Sequence, residues 1–161
     1  NLWTRGELLP ESRAYLEALP QTIVQEGFTL AHGSPRYPIW EYLFYPREAT
    51  ASFGYFETAV CLVGHTHVPR IFRLTDPDHP CEVLRLPEEK AVQLDDHRYI
   101  INPGSVGQPR DRDPRAAYML LDTRARVFQH RRVSYDIAET QKLMRKSGLP
   151  HRQAERLLGG W

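Results

Sequence analysis

The sequence has few cysteines and no long hydrophobic run. Its 161 residues include only two cysteines, and its apolar runs are a few residues long. A membrane-spanning helix needs about 20 consecutive apolar residues, so none is predicted. Cys61 lies in an apolar segment and Cys81 in a proline-flanked loop, which indicates free thiols rather than a disulfide framework. We therefore expect a cytoplasmic protein in a reducing compartment.

The sequence also lacks an excess of charge, internal repeats and low-complexity tracts. It contains 21 Lys and Arg against 20 Asp and Glu, for a net charge of +1. No basic stripe with interleaved aromatic residues is present, so a nucleic-acid-binding module is not expected. A chain of this length can form a real hydrophobic core. We predict a single domain over residues 1–161, with its core in residues 1–133 and C-terminal helices in residues 134–161.

Short strands and helices alternate along the chain. Apolar and β-branched stretches predict strands at residues 21–25, 28–31, 58–63, 70–74, 82–86, 91–94, 98–101, 116–122 and 126–133. Apolar periodicity, capping residues and terminating proline or glycine predict helices at residues 10–18, 48–57, 136–146 and 151–158. The pattern is that of a mixed α/β (α+β) fold.

Three of the predicted strands stop at a glycine-containing loop. His32 follows the first, His65 and His67 follow the second, and residues 102–107 follow the third. The spacing of His65 and His67 puts both rings on one side of an extended segment. Sites in mixed sheets gather at strand ends, because the rigid sheet positions the loops there. Imidazole binds zinc, iron, nickel and manganese, and three histidines suffice for one catalytic zinc ion.

Acidic residues are missing from these strand ends. A two-metal site normally needs carboxylates as well, one of them often bridging, and none is placed convincingly. Each histidine taken alone is also compatible with a solvated loop. Residues 102–110 allow either a connecting turn or an anion-binding concavity, with Arg110, Arg112 and Arg115 suited to phosphate.

Several further side chains are interpreted as structural or solvated. The aromatic-rich residues 38–45 favour core packing over the wall of a cleft, since aromatic side chains mostly pack. His79, His97 and His130 lie among polar neighbours and are predicted to be at the surface.

Taken together, the three strand-end segments resemble the later motifs of the calcineurin-like metallophosphoesterases. The segments are residues 31–35 (AHGSP), 63–69 (VGHTHVP) and 101–110 (INPGSVGQPR), in the order and spacing of that family. The small bacterial phosphodiesterase branch is especially similar. The resemblance extends from about residue 3 to about residue 133.

This resemblance implies a hydrolase that cleaves phosphoesters, as a phosphodiesterase or phosphatase, at two divalent metal ions such as Mn, Fe, Zn or Ni. It implies a four-layer α/β/β/α sandwich. His32 and His65 would bind one metal ion, and His67 would bind the other. The residues expected to border the substrate are Asn102, Gly104, Ser105 and Arg110.

The family's earlier motifs, which supply carboxylates and the histidine that assists the leaving group, are absent. The sequence also begins with Asn1 rather than methionine. We therefore expect the C-terminal part of such a domain, a partial sandwich without its N-terminal strands and helices. The catalytic residues stay unknown.

Such a chain is expected to be inactive alone. An exposed apolar face would make it associate with a missing N-terminal half or with itself. The alternative is a non-catalytic metal-binding or regulatory module with one structural metal site.

Overall fold

A computed structural model describes residues 2–161, which form two β-sheets with helices around them. The helices are α1 (Leu2–Glu7), α2 (Pro10–Glu17), α3 (Pro46–Ser52) with a 3₁₀ turn (Phe53–Tyr55), α4 (Ile137–Lys146) and α5 (His151–Gly159). The strands are β1 (Thr22–Gln25), β2 (Phe28–Ala31), β3 (Val60–Leu62), β4 (Arg70–Leu74), β5 (Glu82–Leu84), β6 (Ala91–Gln93), β7 (Arg98–Asn102), β8 (Ala116–Asp122) and β9 (Val127–Val133).

The larger sheet is mixed and has six strands in the order β1-β2-β3-β7-β4-β5. Its three central strands, β2, β3 and β7, run parallel, with Leu30 opposite Leu62 and Leu62 opposite Ile101. The smaller sheet is antiparallel, in the order β6-β9-β8. Because the three parallel strands are in register, their carboxyl ends meet at one edge of the larger sheet. The loops that carry His32, His65 and His67 leave the sheet at that edge, and Asn102 ends β7 there.

The larger sheet is covered on both faces. One face packs against the smaller sheet through residues such as Ile101 and Phe128, and the other packs against α3 and the 3₁₀ turn through Phe72 and Ile100. Neighbouring strand residues point to opposite faces, so both members of Ile100–Ile101 are buried. This explains why the central strands are continuously apolar in sequence.

The observed layers are therefore α3, the larger sheet and the smaller sheet. Helices α4 and α5 pack on each other, and α5 joins the loop after β7, where Gly160 accepts a hydrogen bond from the Arg112 amide (2.8 Å). A fourth layer stays a prediction. None of the helices within residues 2–161 has the length and apolar character needed to cross a bilayer.

Most predicted strands and helices are confirmed. Asp136 caps α4 as expected, because its carboxylate accepts a hydrogen bond from the Glu139 amide (2.8 Å). Both cysteines are free thiols. Helix α1 was not predicted, since Leu2–Glu7 has no apolar periodicity and buries no residue.

Two burial predictions are wrong. His130 is 3% exposed rather than at the surface, because it shares the inward face of β9 with Phe128. In the aromatic-rich segment Leu43 is buried, but Trp40 is 79% and Tyr45 68% exposed, so most of these rings do not pack in the core. His130 was predicted to be at the surface because its sequence neighbours are polar. Residues 38–45 have no strand or helix periodicity, so their burial could not be predicted from the pattern.

Replacing Phe72 by alanine is expected to lower the free energy of unfolding by about 3–5 kcal/mol, because its ring is fully buried between the larger sheet and α3. Tyr15→Ala is the matched control, since this α2 ring is 67% exposed and its removal should change stability by less than about 0.5 kcal/mol. Urea denaturation followed by circular dichroism measures both. Equal effects of the two variants would contradict this packing.

Candidate metal centre

The loop after β2 holds His32 in a tightly packed turn. A methyl group placed on Gly33 would come within 2.9 Å of the Glu41 carbonyl oxygen, so the backbone there approaches too closely for any side chain. The buried Ser34 hydroxyl donates to the Glu41 carboxylate (2.5 Å) and accepts from the Tyr37 amide (2.8 Å). These bonds fix the turn and therefore the position of the His32 ring.

The loop after β3 is bound directly to the first. The Gly64 amide donates to the His32 carbonyl (2.9 Å). His65 and His67 then adopt left-handed backbone conformations, with φ of 62° and 60°. The extended segment expected from their spacing is therefore wrong. Such conformations are uncommon outside glycine and cost free energy, so the surrounding contacts must impose them.

Asn102, at the end of β7, supplies those contacts. Its amide nitrogen donates to the Gly64 carbonyl (2.6 Å) and to the Thr66 hydroxyl (2.9 Å), while its oxygen accepts from the Gly104 amide (2.9 Å). The side chain is 1% exposed. Asn102 was expected to border the substrate. Its polar atoms are hydrogen-bonded inside the protein, where they join two strand-end loops, and its place at the substrate border stays a prediction.

The other three residues of the predicted substrate border belong to the loop after β7, and their part in substrate binding stays a prediction. Gly104 has φ of 93° and lies against Pro69, where an added methyl group would approach to 2.9 Å. The Ser105 hydroxyl accepts from the Gln108 amide (3.0 Å) and so shapes the same loop. Arg110 bonds its backbone amide to the His67 carbonyl (3.1 Å), and its buried Nε has no hydrogen-bond partner within residues 2–161. Arg110 is the member of this set that can offer charge to a ligand.

Two of the three predicted metal-binding histidines are in contact. Nε2 of His32 and Nδ1 of His65 lie 2.9 Å apart, and the rings meet edge to face with centroids 4.7 Å apart. The Tyr42 ring stacks on His65 at a centroid distance of 4.0 Å. Tyr42 was interpreted as a core residue, yet it is 45% exposed and forms one side of the site. No signal in the sequence distinguishes it from its aromatic neighbours.

His67 lies beside this pair with its ring orientation fixed. Its Nδ1 bonds to the Gln108 carbonyl (2.7 Å), which makes Nδ1 the protonated nitrogen and leaves Nε2 free to accept. The Nε2 of His65 is buried without a hydrogen-bond partner among the described residues. The Trp40 backbone acts in the opposite direction and raises the pKa of His65, but less than burial and His32 lower it.

The protein lowers the pKa of both histidines of the second loop. For His65 the main cause is burial, followed by the neighbouring His32. For His67 the main cause is again burial, which the Gln108 carbonyl partly offsets and the charge of Arg110 reinforces. Both effects favour neutral imidazole, the form that binds metals.

Acidic ligands do not complete the cluster. Within residues 2–161, no group of three or more His, Cys, Asp or Glu side chains is arranged to hold a metal ion. The neighbouring arginine run is only partly available to a ligand, because Arg115 is engaged by Glu88 (2.6 Å) and Asp113 (2.7 Å).

The fold of this chain is similar to that of a metallophosphoesterase of known structure. The crystal structure of a metallophosphoesterase from Sphaerobacter thermophilus has a TM-score of 0.94 and 42% identity, over 99% of this chain and 65% of that one. This similarity supports the metallophosphoesterase family. The chain accordingly has a metallophosphoesterase-like mixed α/β fold.

Two further proteins are similar to this chain. An uncharacterized protein of Methanocaldococcus jannaschii, MJ0912, is 36% identical over 165 residues, which cover 99% of this chain and 64% of the relative. The crystal structure of hypothetical protein PH1004 from Pyrococcus horikoshii shares the fold, with a TM-score of 0.63, 22% identity, and coverage of 94% of this chain and 55% of that one. No family profile matches the sequence. The chain spans less than two thirds of the length of each of these proteins.

Asn102→Asp is expected to destabilise the protein by at least about 2 kcal/mol, because two buried acceptors lose their donor. Amide hydrogen exchange in residues 63–69 should accelerate more than exchange in β8. Gln21→Glu, the same chemical change at an exposed position, is the control. If the two variants have the same stability and exchange rates, Asn102 does not hold the loops.

Proposed function

We propose that this chain contributes the imidazole ligands of a metal-dependent phosphoester hydrolase, a phosphodiesterase or phosphatase with a two-metal centre. His32 and His65 bind one divalent ion, and His67 binds the second. The observation that carries the proposal is the direct contact between His32 and His65, 33 residues apart in sequence. The similarity to a metallophosphoesterase supports it from an independent direction.

The spacing of the two rings fits a shared metal ion. Two nitrogens bound to one ion at about 2.1 Å lie about 3.4 Å apart at the tetrahedral angle and about 3 Å apart at the right angle of octahedral coordination. The observed Nε2–Nδ1 distance between His32 and His65 is 2.9 Å. Without metal, one proton occupies the gap as a hydrogen bond. Binding displaces it, so affinity should fall as the medium becomes more acidic.

The environment of His67 fits a ligand as well. A metal-binding histidine usually donates its other ring nitrogen to a carbonyl or carboxylate, which fixes the tautomer and the ring orientation. The Gln108 carbonyl occupies that position at Nδ1. This leaves Nε2 of His67 as the ligand atom.

Three imidazoles are an incomplete donor set for two ions, because a bridging carboxylate normally neutralises their charge and sets their spacing. We propose that these carboxylates belong to the additional length that the relatives carry beyond the matched region. When bound, the ions would activate water and stabilise charge on the phosphoryl oxygens. Within this chain, Tyr42 orients His65 and the Arg110 guanidinium binds a phosphoryl oxygen.

Metal binding by single-histidine variants tests the ligand assignment. We expect His32→Ala and His65→Ala to weaken Zn²⁺ binding more than about 10-fold, the lower range of the loss caused by removing even an outer-shell partner. His79→Ala is the matched control, because His79 is exposed and bonded only to Asp76. Equilibrium dialysis measures the affinities. A His79 variant that loses as much affinity as His65→Ala would overturn the assignment.

The alternative function is a non-catalytic metal-binding or regulatory module. A regulatory module is favoured because no group of three or more His, Cys, Asp or Glu side chains within residues 2–161 is arranged to hold a metal ion. Turnover of a chromogenic phosphodiester with Mn²⁺ separates the two. We expect none from the 161-residue chain and metal-dependent turnover from a protein that joins it to the remaining length found in its relatives. Inactivity of both, with metal still bound, would support the regulatory module instead.

An apolar surface on the first 30 residues indicates a protein partner. Ile23 and Leu30 lie opposite each other on one face of β1 and β2 and are 40% and 37% exposed, and Val24 on the other face of the edge strand is 70% exposed. An apolar sheet edge promotes pairing with another chain. We propose that a second copy or the remaining length of the protein covers this surface.

Sedimentation velocity tests this association. Val24→Lys should shift the isolated chain towards monomer, since a lysine on an edge strand opposes pairing. Val106→Lys is the control, because Val106 is 65% exposed on the loop after β7. A chain that is monomeric without any substitution would contradict the partner proposal while leaving the metal assignment intact.

A further inference from the structure

A second concave site lies between the two sheets, away from the histidine cluster. It is an open cavity of about 1060 Å³ whose walls come from the start of β4, from β5 and the segment that follows it, from residues 111–113 and from β9. None of His32, His65 and His67 lines it. Its size is sufficient for a small organic molecule.

All the acidic side chains on the cavity walls form ion pairs, whereas only some of the cations do. The three acidic side chains are already engaged: Glu88 by Arg115 (2.6 Å), and Asp111 and Asp113 by Arg132. Arg132 is itself 8% exposed and fully used in these pairs.

Three other cations on the wall have no such partner. Arg70, Arg85 and Lys90 form no ion pair or side-chain hydrogen bond with any described residue, and Nε of Arg70 is buried without a partner. The wall carries four cations against three acids, and Arg115 pairs with two of those acids from beside the wall, so a net positive charge remains in the cavity. Such a site attracts a dianion more strongly than a neutral ligand.

A buried polar atom on the wall points to a ligand independently. His130 is 3% exposed, lines the cavity, and has an Nε2 without a hydrogen-bond partner within residues 2–161. A buried ring nitrogen left unpaired costs free energy, which a bound ligand or water recovers. His130 shares the inward face of β9 with the buried Phe128.

We propose that this cavity binds the phosphate group of a small molecule, with Arg70, Arg85 and Lys90 neutralising it and His130 contacting it from the wall. Arginine forks match the geometry of phosphate oxygens, and lysine adds a point charge. Apolar residues Val83 and Leu86 border the same space and would contact the organic part of the ligand. The proposal does not rest on the hydrolase function, because neither metal ions nor the histidine cluster take part.

Titration of metal-free protein with inorganic phosphate tests the site, with binding followed by calorimetry and by the imidazole nitrogen resonances of the histidines. We expect the His130 signals to shift and those of His79 to stay unchanged. Arg85→Gln and Lys90→Gln should each weaken binding about 10-fold, the loss expected from one charged hydrogen bond. Both side chains are exposed, so neither change threatens folding.

Controls separate this site from general charge effects and from the metal centre. Arg124→Gln removes one exposed positive charge in the β8–β9 turn and should leave phosphate binding unchanged. His65→Ala should leave it unchanged as well. Equal weakening by Arg124→Gln, or loss of binding in His65→Ala, would overturn the proposal. Succinate binding as tightly as phosphate would also overturn the assignment to a phosphate group.

Discussion

The site depends on one buried amide. Asn102 ends the third of three in-register parallel strands and bonds to the loop that leaves the second. The second loop in turn bonds to the His32 carbonyl through Gly64. These few hydrogen bonds convert three separate strand ends into one rigid edge. The left-handed turns at His65 and His67 persist because this edge and the buried sheet below it leave the loop no lower-energy arrangement.

Rigidity at this edge has a chemical consequence. Imidazoles held in mutual contact require little reorganisation when a cation binds, and burial lowers the pKa of His65, which favours its neutral form. In the proposed site, a metal ion shared by His32 and His65 would replace the hydrogen bond between their rings.

Sequence periodicity was sufficient for the strands but not for their arrangement. Val60–Leu62 and Arg98–Asn102 are apolar enough to predict buried strands, and the glycine after each predicts where a loop starts. Register and parallel pairing depend on contacts distant in sequence. Local sequence pattern alone therefore could not establish that His32 and His65 are in contact. The hydrogen bonds by which Asn102 joins the loops could not be predicted, because an asparagine beside proline and glycine is typical of any turn.

The side chains that sequence reasoning misplaced share a physical cause. His130 has polar neighbours in sequence, yet its side chain is buried on the inward face of β9. Tyr42 lies in an aromatic segment, yet its side chain is 45% exposed. Local pattern reports what a strand or loop prefers, whereas packing between the two sheets decides what is buried. Tyr42 contacts the histidine cluster, and His130 lines the cavity between the two sheets.

Anomalous diffraction from crystals of the zinc-loaded chain tests directly whether His32 and His65 share a metal ion. We expect a zinc peak within bonding distance of both Nε2 of His32 and Nδ1 of His65, with the hydrogen bond between them replaced. Zinc bound elsewhere, with that hydrogen bond still intact at saturating metal, would contradict it.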